Sequence, residues 1–215
     1  MCRGAAACYE PRMYYDADAL PRELPHDPFK ALVAPRPIGW ISTRSRSGQV
    51  NLAPYSYFNA LADRPKLVFF ASSMALKDSA SFAQESGEFV ANLVSEPLAH
   101  QMNHSSVNAP RGISEFELTG LHEAACVHVA APRVAEAYAA LECKVTQVFA
   151  PRTLSGEDAQ STVVIGQVVG IHIDEAILTA GMVDISKARP VSRLGYLDFA
   201  VTREAFSMKR PSWEK

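Results

Sequence analysis

The chain has 215 residues, of which 48% are hydrophobic and 20% are charged. These proportions are typical of a globular protein and argue against a coiled coil, a collagen-like repeat or a disordered chain. The 21 basic and 23 acidic side chains give a net charge of -2, and there is no long basic run, so nucleic acid is not an expected partner. No apolar run approaches the roughly 18 residues of a membrane-spanning helix, so no membrane partner is expected either.

The two ends of the chain differ from its middle. Residues 1–12 lack the apolar core of a signal peptide and are interpreted as an N-terminal extension. No internal repeat, low-complexity tract or Gly/Ser linker divides the rest. We therefore expect one domain over residues 13–203, followed by a C-terminal tail at 204–215.

The first predicted strand, Ile38–Thr43, is entered through two prolines, which disfavour helix at and before their own positions. Arg36 before it and the hydroxyls of Ser42 and Thr43 at its end can donate hydrogen bonds to phosphate oxygens. Hydroxyl residues at a strand exit also occur as simple turn chemistry, so both interpretations stay open for this segment alone.

Small, aromatic and amide residues alternate in the next segment, Asn51–Asn59. A strand of this composition can lay backbone amides along a flat heteroaromatic ring. Tyrosine-rich strands are also common in barrel walls, and the segment by itself does not separate the two interpretations. Another strand is predicted at Lys66–Ser72, which is rich in Val and Phe.

A short helix is predicted at Asp78–Ser86, closed by Gly87. Asp78 or Ser79 can cap it, and the unpaired N–H groups of its first turn, with the Lys77 ammonium close by, can bind an anion. A plain helix start is the alternative. Together with the two earlier segments, this helix start provides the phosphate site and the ring platform that a bound mononucleotide requires.

Long strands dominate the second half of the chain. The predicted strands there are Glu88–Val94, Leu141–Ala150 and Ser161–Asp174, and the predicted short helices are Pro97–Asn103 and Arg133–Leu141. The helices are too irregularly placed for a parallel doubly wound sheet. We therefore expect a mainly β fold, an antiparallel barrel with peripheral short helices.

Several familiar signatures are missing from the sequence. There is no GxGxxG after a strand, no GxxxxGK[ST] and no GxSxG, so the usual dinucleotide fingerprint, the P-loop and the serine-hydrolase elbow are not predicted. His100 and His104 stand at i, i+4 without a third ligand nearby in sequence, so no metal is expected. The four cysteines form no CxxC pair, which gives little support for disulfides or zinc and favours the cytoplasm; they are Cys2, Cys8, Cys126 and Cys143.

An ordered set of strings spans roughly Phe29–Ala200. It comprises RPIGWIST, NLAPYSYFNAL, KDS, GEFVANL, the pair Glu115–Phe116, PRVAEA, LECKV, VIGQVVGIHID and VSRLGYLDFA. In this order the strings resemble the flavin reductase-like FMN-binding family. The extension over residues 1–12 is not explained by the family pattern.

The resemblance implies a split β-barrel that holds FMN non-covalently between the two protomers of a homodimer. In many relatives NADH or NADPH reduces the flavin, and the reduced flavin sometimes passes to a partner monooxygenase. The residues that match the family's cofactor site are Arg36, Ser42 and Thr43 beside the phosphoribityl tail, Asn51, Ala53, Pro54, Tyr55 and Ser56 along the isoalloxazine, Lys77, Asp78 and Ser79 at the phosphate-side helix start, and Tyr196 near the pocket.

The resemblance therefore implies an NAD(P)H-dependent flavin reductase that transfers a hydride from nicotinamide to flavin. Such catalysis needs position and electrostatics more than a protein acid or base, so no catalytic residue is predicted. His172 is a candidate to orient the second substrate, with an ordinary barrel-rim histidine as the alternative. The alternative function is an FMN-binding electron carrier that serves a protein partner without NAD(P)H turnover, and a flavin-free structural barrel is a weaker third.

Overall fold

We describe a computed structural model of the chain over residues 13–73, 77–110 and 112–213. The predicted N-terminal extension at residues 1–12 lies outside the described residues. Within the described part of the chain, no helix is long and apolar enough to span a membrane.

The protein is mainly β, as the sequence predicts. Its strands are β1 (Arg36–Pro37), β2 (Gly39–Arg44), β3 (Val50–Tyr55), β4 (Phe58–Asp63), β5 (Lys66–Ser73), β6 (Glu88–Leu93), β7 (Glu123–Ala124), β8 (Arg133–Val134), β9 (Ala139–Phe149), β10 (Ser161–Ile173), β11 (Leu178–Thr179), β12 (Met182–Val183), β13 (Val191–Arg193) and β14 (Phe199–Val201). Its helices are α1 (Phe29–Leu32), α2 (Asp78–Ser86), α3 (Ala99–His104), α4 (Glu115–Thr119) and α5 (Ile185–Ala188), with 3-10 turns at Glu96–Leu98 and Glu175–Ile177.

One curled antiparallel sheet forms the half-barrel, in the order β3-β2-β6-β9-β10-β5-β4. The strands β3 and β4 follow each other along the chain but lie at opposite edges of this sheet. The segment Asn51–Asn59 is therefore two strands joined through Ser56 and Tyr57, and not the single strand that the alternation predicts. Because β3 is an edge strand, one side of its backbone is available to other partners.

The sequence predicts the bounds of α2 correctly. The helix covers Asp78–Ser86, and Gly87 ends it with φ of 75°, the left-handed conformation that glycine adopts without steric cost. The helix predicted at Arg133–Leu141 is wrong. Its first two residues form β8, and Ala139 begins β9, which pairs with β6 and β10, so long-range pairing overrides the helix propensity of the alanines.

Two clusters of apolar side chains hold the sheet. Because neighbouring residues of a strand point to opposite faces, Trp40 and Ile41 of β2 enter different clusters. Ile41 lies inside the barrel with Phe70 and Phe89, whereas Trp40 packs against the side that α3 and α4 cover. The Trp40 Nε1–H group donates to Ser105 Oγ at 2.9 Å, which anchors the loop after α3 beside the open edge of β3.

Candidate functional site

Two adjoining clefts follow the open edge of β3. The larger has a volume of about 470 Å³ and the smaller about 270 Å³. They share Pro54, Tyr55, Lys77 and Ser106 in their walls, and we call the two together the β3 groove. The larger cleft lies within the roughly 300–1,000 Å³ that is usual for small-molecule sites.

The backbone of β3 faces this groove at alternate residues. The N–H group of Leu52 donates to Glu115 Oε2 at 2.9 Å and so points away from β2. By the alternation of a strand, the carbonyl of Pro54 and the N–H of Ser56 point the same way. A proline at an outward position of an edge strand removes no hydrogen bond from the sheet. The groove therefore has both an acceptor and a donor along one flat wall.

The start of α2 forms the junction of the two clefts. Lys77 is the N-cap residue and makes no side-chain cap bond, so neither Asp78 nor Ser79 occupies the N-cap position that the sequence suggests. Ser79 lies within the first turn, where its Oγ accepts from Asn51 Nδ2 at 2.6 Å. The ammonium of Lys77 and the first-turn N–H groups of α2 are a suitable donor set for an anion such as a phosphate.

Tyr55 forms a buried part of the wall, with its ring 5.1 Å from that of Phe70. Burial raises the pKa of the Tyr55 phenol, although the hydroxyls of Ser79 and Ser72 partly oppose this effect. The phenol therefore remains a neutral hydrogen-bonding group at physiological pH. Ser72 Oγ is itself buried beside the larger cleft, on the same side as the Tyr55 phenol.

The three residues expected beside a phosphoribityl tail have other surroundings. Arg36 lines the larger cleft, but its guanidinium donates to the carbonyls of Lys30, Val33 and Leu194.

Ser42 and Thr43 line neither cleft. They lie on β2 between β3 and β6 and have no exposed surface, and Ser42 Oγ donates to the carbonyl of Pro132. At Ser42 both edges of β2 are paired with neighbouring strands, and Thr43 is paired with β3. The structure therefore does not bring these two hydroxyls to the groove.

The other expected residues do meet at the groove. The smaller cleft is lined by Asn51, Ala53, Pro54, Tyr55, Lys77, Asp78 and Ser79, and the larger by Ser56 and Tyr196 as well. The described residues also include groove residues that the sequence analysis missed: Asp27, Lys30, Asn103, Ser106, Asn108 and Arg193. Only the Ser- and Asn-rich run after α3 carried a local signal, since such residues supply loop hydrogen-bonding groups.

A family model described as flavin reductase like domain matches residues 32–191. The chain belongs to the flavin reductase-like domain family. An uncharacterized protein of Halalkalibacterium halodurans is 35% identical over 204 residues, which cover 93% of this chain and 97% of that protein.

Two solved structures share both the fold and part of the sequence of this flavin reductase-like chain. Nitrilotriacetate monooxygenase component B from Bacillus cereus has a TM-score of 0.82 and 27% identity, over 93% of this chain and 100% of its own. The 2-nitrobenzoate 2-nitroreductase NbaA of Pseudomonas fluorescens has a TM-score of 0.80 and 25% identity, over 94% and 98%. The predicted family and the split-barrel fold are thus confirmed.

Two further features of this flavin reductase-like domain bear on its chemistry. Glu115 lies in the wall of the smaller cleft, where burial raises the pKa of its carboxyl group despite the hydrogen bond from Leu52. A more readily protonated carboxyl group repels a nearby anion less. His172 lines neither cleft and instead contacts Glu142 at 2.6 Å, so the structure does not bring it to the groove.

Proposed function

We propose that the protein binds FMN in the β3 groove and acts as an NAD(P)H-dependent flavin reductase. The observation that carries this proposal is the groove itself, which joins an anion-binding helix start to a flat wall with backbone donors and acceptors. Membership of the flavin reductase-like family supports it. The donor set, which comprises the Lys77 ammonium, the first-turn N–H groups of α2 and the outward backbone groups of β3, fits the phosphate and the polar ring edge of this cofactor.

The residues have separable roles in this proposal. Lys77 and the first-turn N–H groups of α2 hold the phosphate, and Asn51 positions that turn through Ser79. The backbone of Pro54 and Ser56 meets the polar edge of the ring, and Tyr55 supports it from the barrel side. Bound FMN supplies the hydride-accepting chemistry, while the protein orients the reactants and excludes water.

Nicotinamide would bind weakly in this groove. No dinucleotide fingerprint is present in the sequence, so the donor lacks the usual pyrophosphate site and is held mainly by stacking on the exposed ring. The aromatic residues Tyr57 and Tyr196 line the larger cleft, where such a ring would lie. Hydride transfer would then be direct, from nicotinamide to flavin.

Anaerobic mixing of the FMN-loaded protein with NADH or NADPH tests this function. We expect the flavin absorbance to bleach within seconds to minutes and the rate to saturate only at high donor concentration. Tyr55→Phe, which removes the phenol hydroxyl from the groove wall, should slow bleaching, whereas His122→Gln, a change outside the groove, should not. If neither nicotinamide reduces the flavin, the electron-carrier alternative replaces the reductase.

We also propose that two protomers associate through one face of the half-barrel sheet. Apolar residues of β4, β9 and β10, among them Leu61, Leu141 and Ile171, form this surface, which we call the apolar sheet face. Two apolar hollows of about 410 and 420 Å³ lie on this face, and the second is lined by Leu61 and Ile171, with exposures of 53% and 50%. β10 contributes Val168 and Ile171 to the second hollow. β6 contributes Ala91 and Leu93 to the first hollow.

Light scattering of the full chain should report about twice the monomer mass of 23.4 kDa. Because apolar contacts of this kind resist salt, the dimer should persist at high ionic strength. Ile171→Asp should shift the protein toward the monomer, and Leu154→Asp, at an exposed loop residue, is the matched control. A wild-type monomer that still holds FMN stoichiometrically contradicts the proposal.

The similarity to nitrilotriacetate monooxygenase component B supports a monooxygenase as the consumer of the reduced flavin. We place the protein in the cytoplasm, since Cys126 and Cys143 are free thiols. Substrate oxygenation by a supplied monooxygenase that is lost when a dialysis membrane separates the two proteins would indicate a dedicated partner, whereas oxygenation across the membrane would indicate free diffusion of reduced flavin.

A further inference from the structure

A second group of chemically active side chains lies away from the β3 groove. One ligand atom each from Cys126, Glu142 and His172 lies within 4.8 Å of the other two. They come from three segments: the loop between β7 and β8, the strand β9 and the strand β10. None of them lines either cleft, so the proposed flavin function gives them no role.

The carboxylate of Glu142 is buried and held by the backbone. Its Oε1 accepts from the N–H of Val127 at 2.9 Å, and its Oε2 accepts from the N–H of His128 at 2.6 Å. His172 Nε2 contacts Oε1 at 2.6 Å from the other side. The two backbone donors fix the direction of the carboxylate toward His172, in the way that hydrogen bonds orient metal-ligating carboxylates.

Gly170 allows the loop to approach the sheet this closely. A Cβ atom at this position would lie 3.0 Å from the carboxyl carbon of Glu142 and 3.2 Å from Cδ2 of His128. Any larger residue would therefore press on both the carboxylate and the loop that carries Cys126. The glycine leaves the three ligand atoms free to converge.

We propose that Cys126, Glu142 and His172 bind one zinc ion. Thiolate, imidazole and carboxylate are the ligands that zinc takes in proteins, and three protein ligands leave a fourth position for water. The thiolate and the carboxylate together balance the charge of the ion, so the site is neutral. Tetrahedral bonds of about 2.0–2.3 Å place ligand atoms about 3.3–3.6 Å apart. The contact between His172 and Glu142 must therefore widen from 2.6 Å, and the separations to Cys126, at most 4.8 Å, must settle into the same range.

The formation of this site exchanges a few bonds. Zinc replaces the hydrogen bond between His172 and Glu142, so the proton on His172 Nε2 passes to solvent or is exchanged for one on Nδ1, and Cys126 loses its proton to solvent as the Zn–S bond forms. No redox step is involved. The backbone hydrogen bonds to Glu142 remain in place, because each carboxylate oxygen has two acceptor positions.

A second pair in the molecule provides a matched comparison. His122 Nδ1 contacts Glu136 Oε1 at the same distance of 2.6 Å. Among the described residues, however, no cysteine lies close enough to form a three-ligand cluster with this pair. If a histidine–glutamate contact alone bound zinc, both pairs would do so. The proposal assigns binding to the cluster that includes Cys126.

The experiment is a zinc titration of the full chain against a chromophoric chelator, in a Cys2→Ser and Cys8→Ser background that removes the cysteines outside the described residues. We expect one equivalent per chain, and at least tenfold weaker binding in Cys126→Ser and in His172→Gln. His122→Gln should leave the affinity unchanged. Cobalt(II) in place of zinc should show a thiolate charge-transfer band that Cys126→Ser abolishes.

Folding and zinc binding can be separated in the same samples. Circular dichroism and flavin titration should show that Cys126→Ser is folded, since the change replaces one atom. Failure of flavin binding in every variant, including the background, would overturn the proposed function and leave the zinc result intact. Absence of stoichiometric zinc, or equal zinc affinity in the background and in Cys126→Ser, overturns the zinc site.

Discussion

Replacement of Arg36 by alanine is expected to lower the free energy of unfolding by about 3–5 kcal/mol. The buried guanidinium donates to the carbonyls of Lys30, Val33 and Leu194, and each carbonyl left without a donor costs about 1–3 kcal/mol. We take less than the full sum because part of the site can admit water. Denaturant unfolding of the wild type and the variant measures the difference.

Arg44 is the matched control for this experiment. Its guanidinium also donates to a backbone carbonyl, that of Ala130, and pairs with Glu123, but its side chain is 33% exposed. Arg44→Ala should therefore cost about 1 kcal/mol or less. A loss at Arg36 as small as that at Arg44 contradicts the structural role.

A second substitution, Arg36→Lys, distinguishes two roles for Arg36. The resemblance implies a contact with the phosphoribityl tail, whereas the structure shows its donors bonded to backbone carbonyls, two of which belong to Lys30 and Leu194 in the lining of the larger cleft. Arg36→Lys keeps the charge but loses the planar fork that joins three carbonyls. We therefore expect Arg36→Lys to weaken the binding of riboflavin and of FMN by similar factors, because the wall and not the phosphate contact is lost.

Replacement of Lys77 by alanine is expected to weaken FMN binding by about tenfold or more. This prediction rests on the proposed function. The ammonium lies at the start of α2, where both clefts meet, and a charge-assisted contact of this kind contributes roughly 1.5–3 kcal/mol when well formed. Flavin fluorescence titration of the wild type and the variant measures the change.

Riboflavin, which lacks the phosphate, sharpens this measurement. Lys77→Ala should leave riboflavin affinity unchanged, and Lys77→Arg should retain most of the FMN affinity because it keeps the charge. Lys209→Ala removes the same charge from the exposed C-terminal segment and is the matched control. An unchanged dissociation constant for FMN in Lys77→Ala excludes Lys77 as the phosphate ligand.

Local features of the sequence were sufficient for several elements. The helix α2 and its terminal Gly87 follow from short-range propensity and a left-handed cap, which depend only on neighbouring residues. The long strand at Ser161–Ile173 follows from its β-branched residues. Most of the groove wall was also found, because the ordered family strings contain it.

Features that depend on distant partners could not be found in this way. Residues Arg133–Leu141 favour a helix locally but join two strand pairings. The guanidinium of Arg36 donates a hydrogen bond to the carbonyl of Leu194, which lies 158 positions further along the chain. The three proposed zinc ligands are separated by 16 and 30 positions and meet only because a loop folds onto two antiparallel strands.

The sequence by itself thus determined the family, the mainly β fold and the residues along β3 and at the start of α2. Those properties are carried by contiguous segments whose patterning is local. The tertiary structure alone decided that β3 is an open edge whereas Ser42 and Thr43 on β2 are enclosed between two strands. The physical reason is that strand order and side-chain direction are set by long-range pairing, which no local pattern specifies.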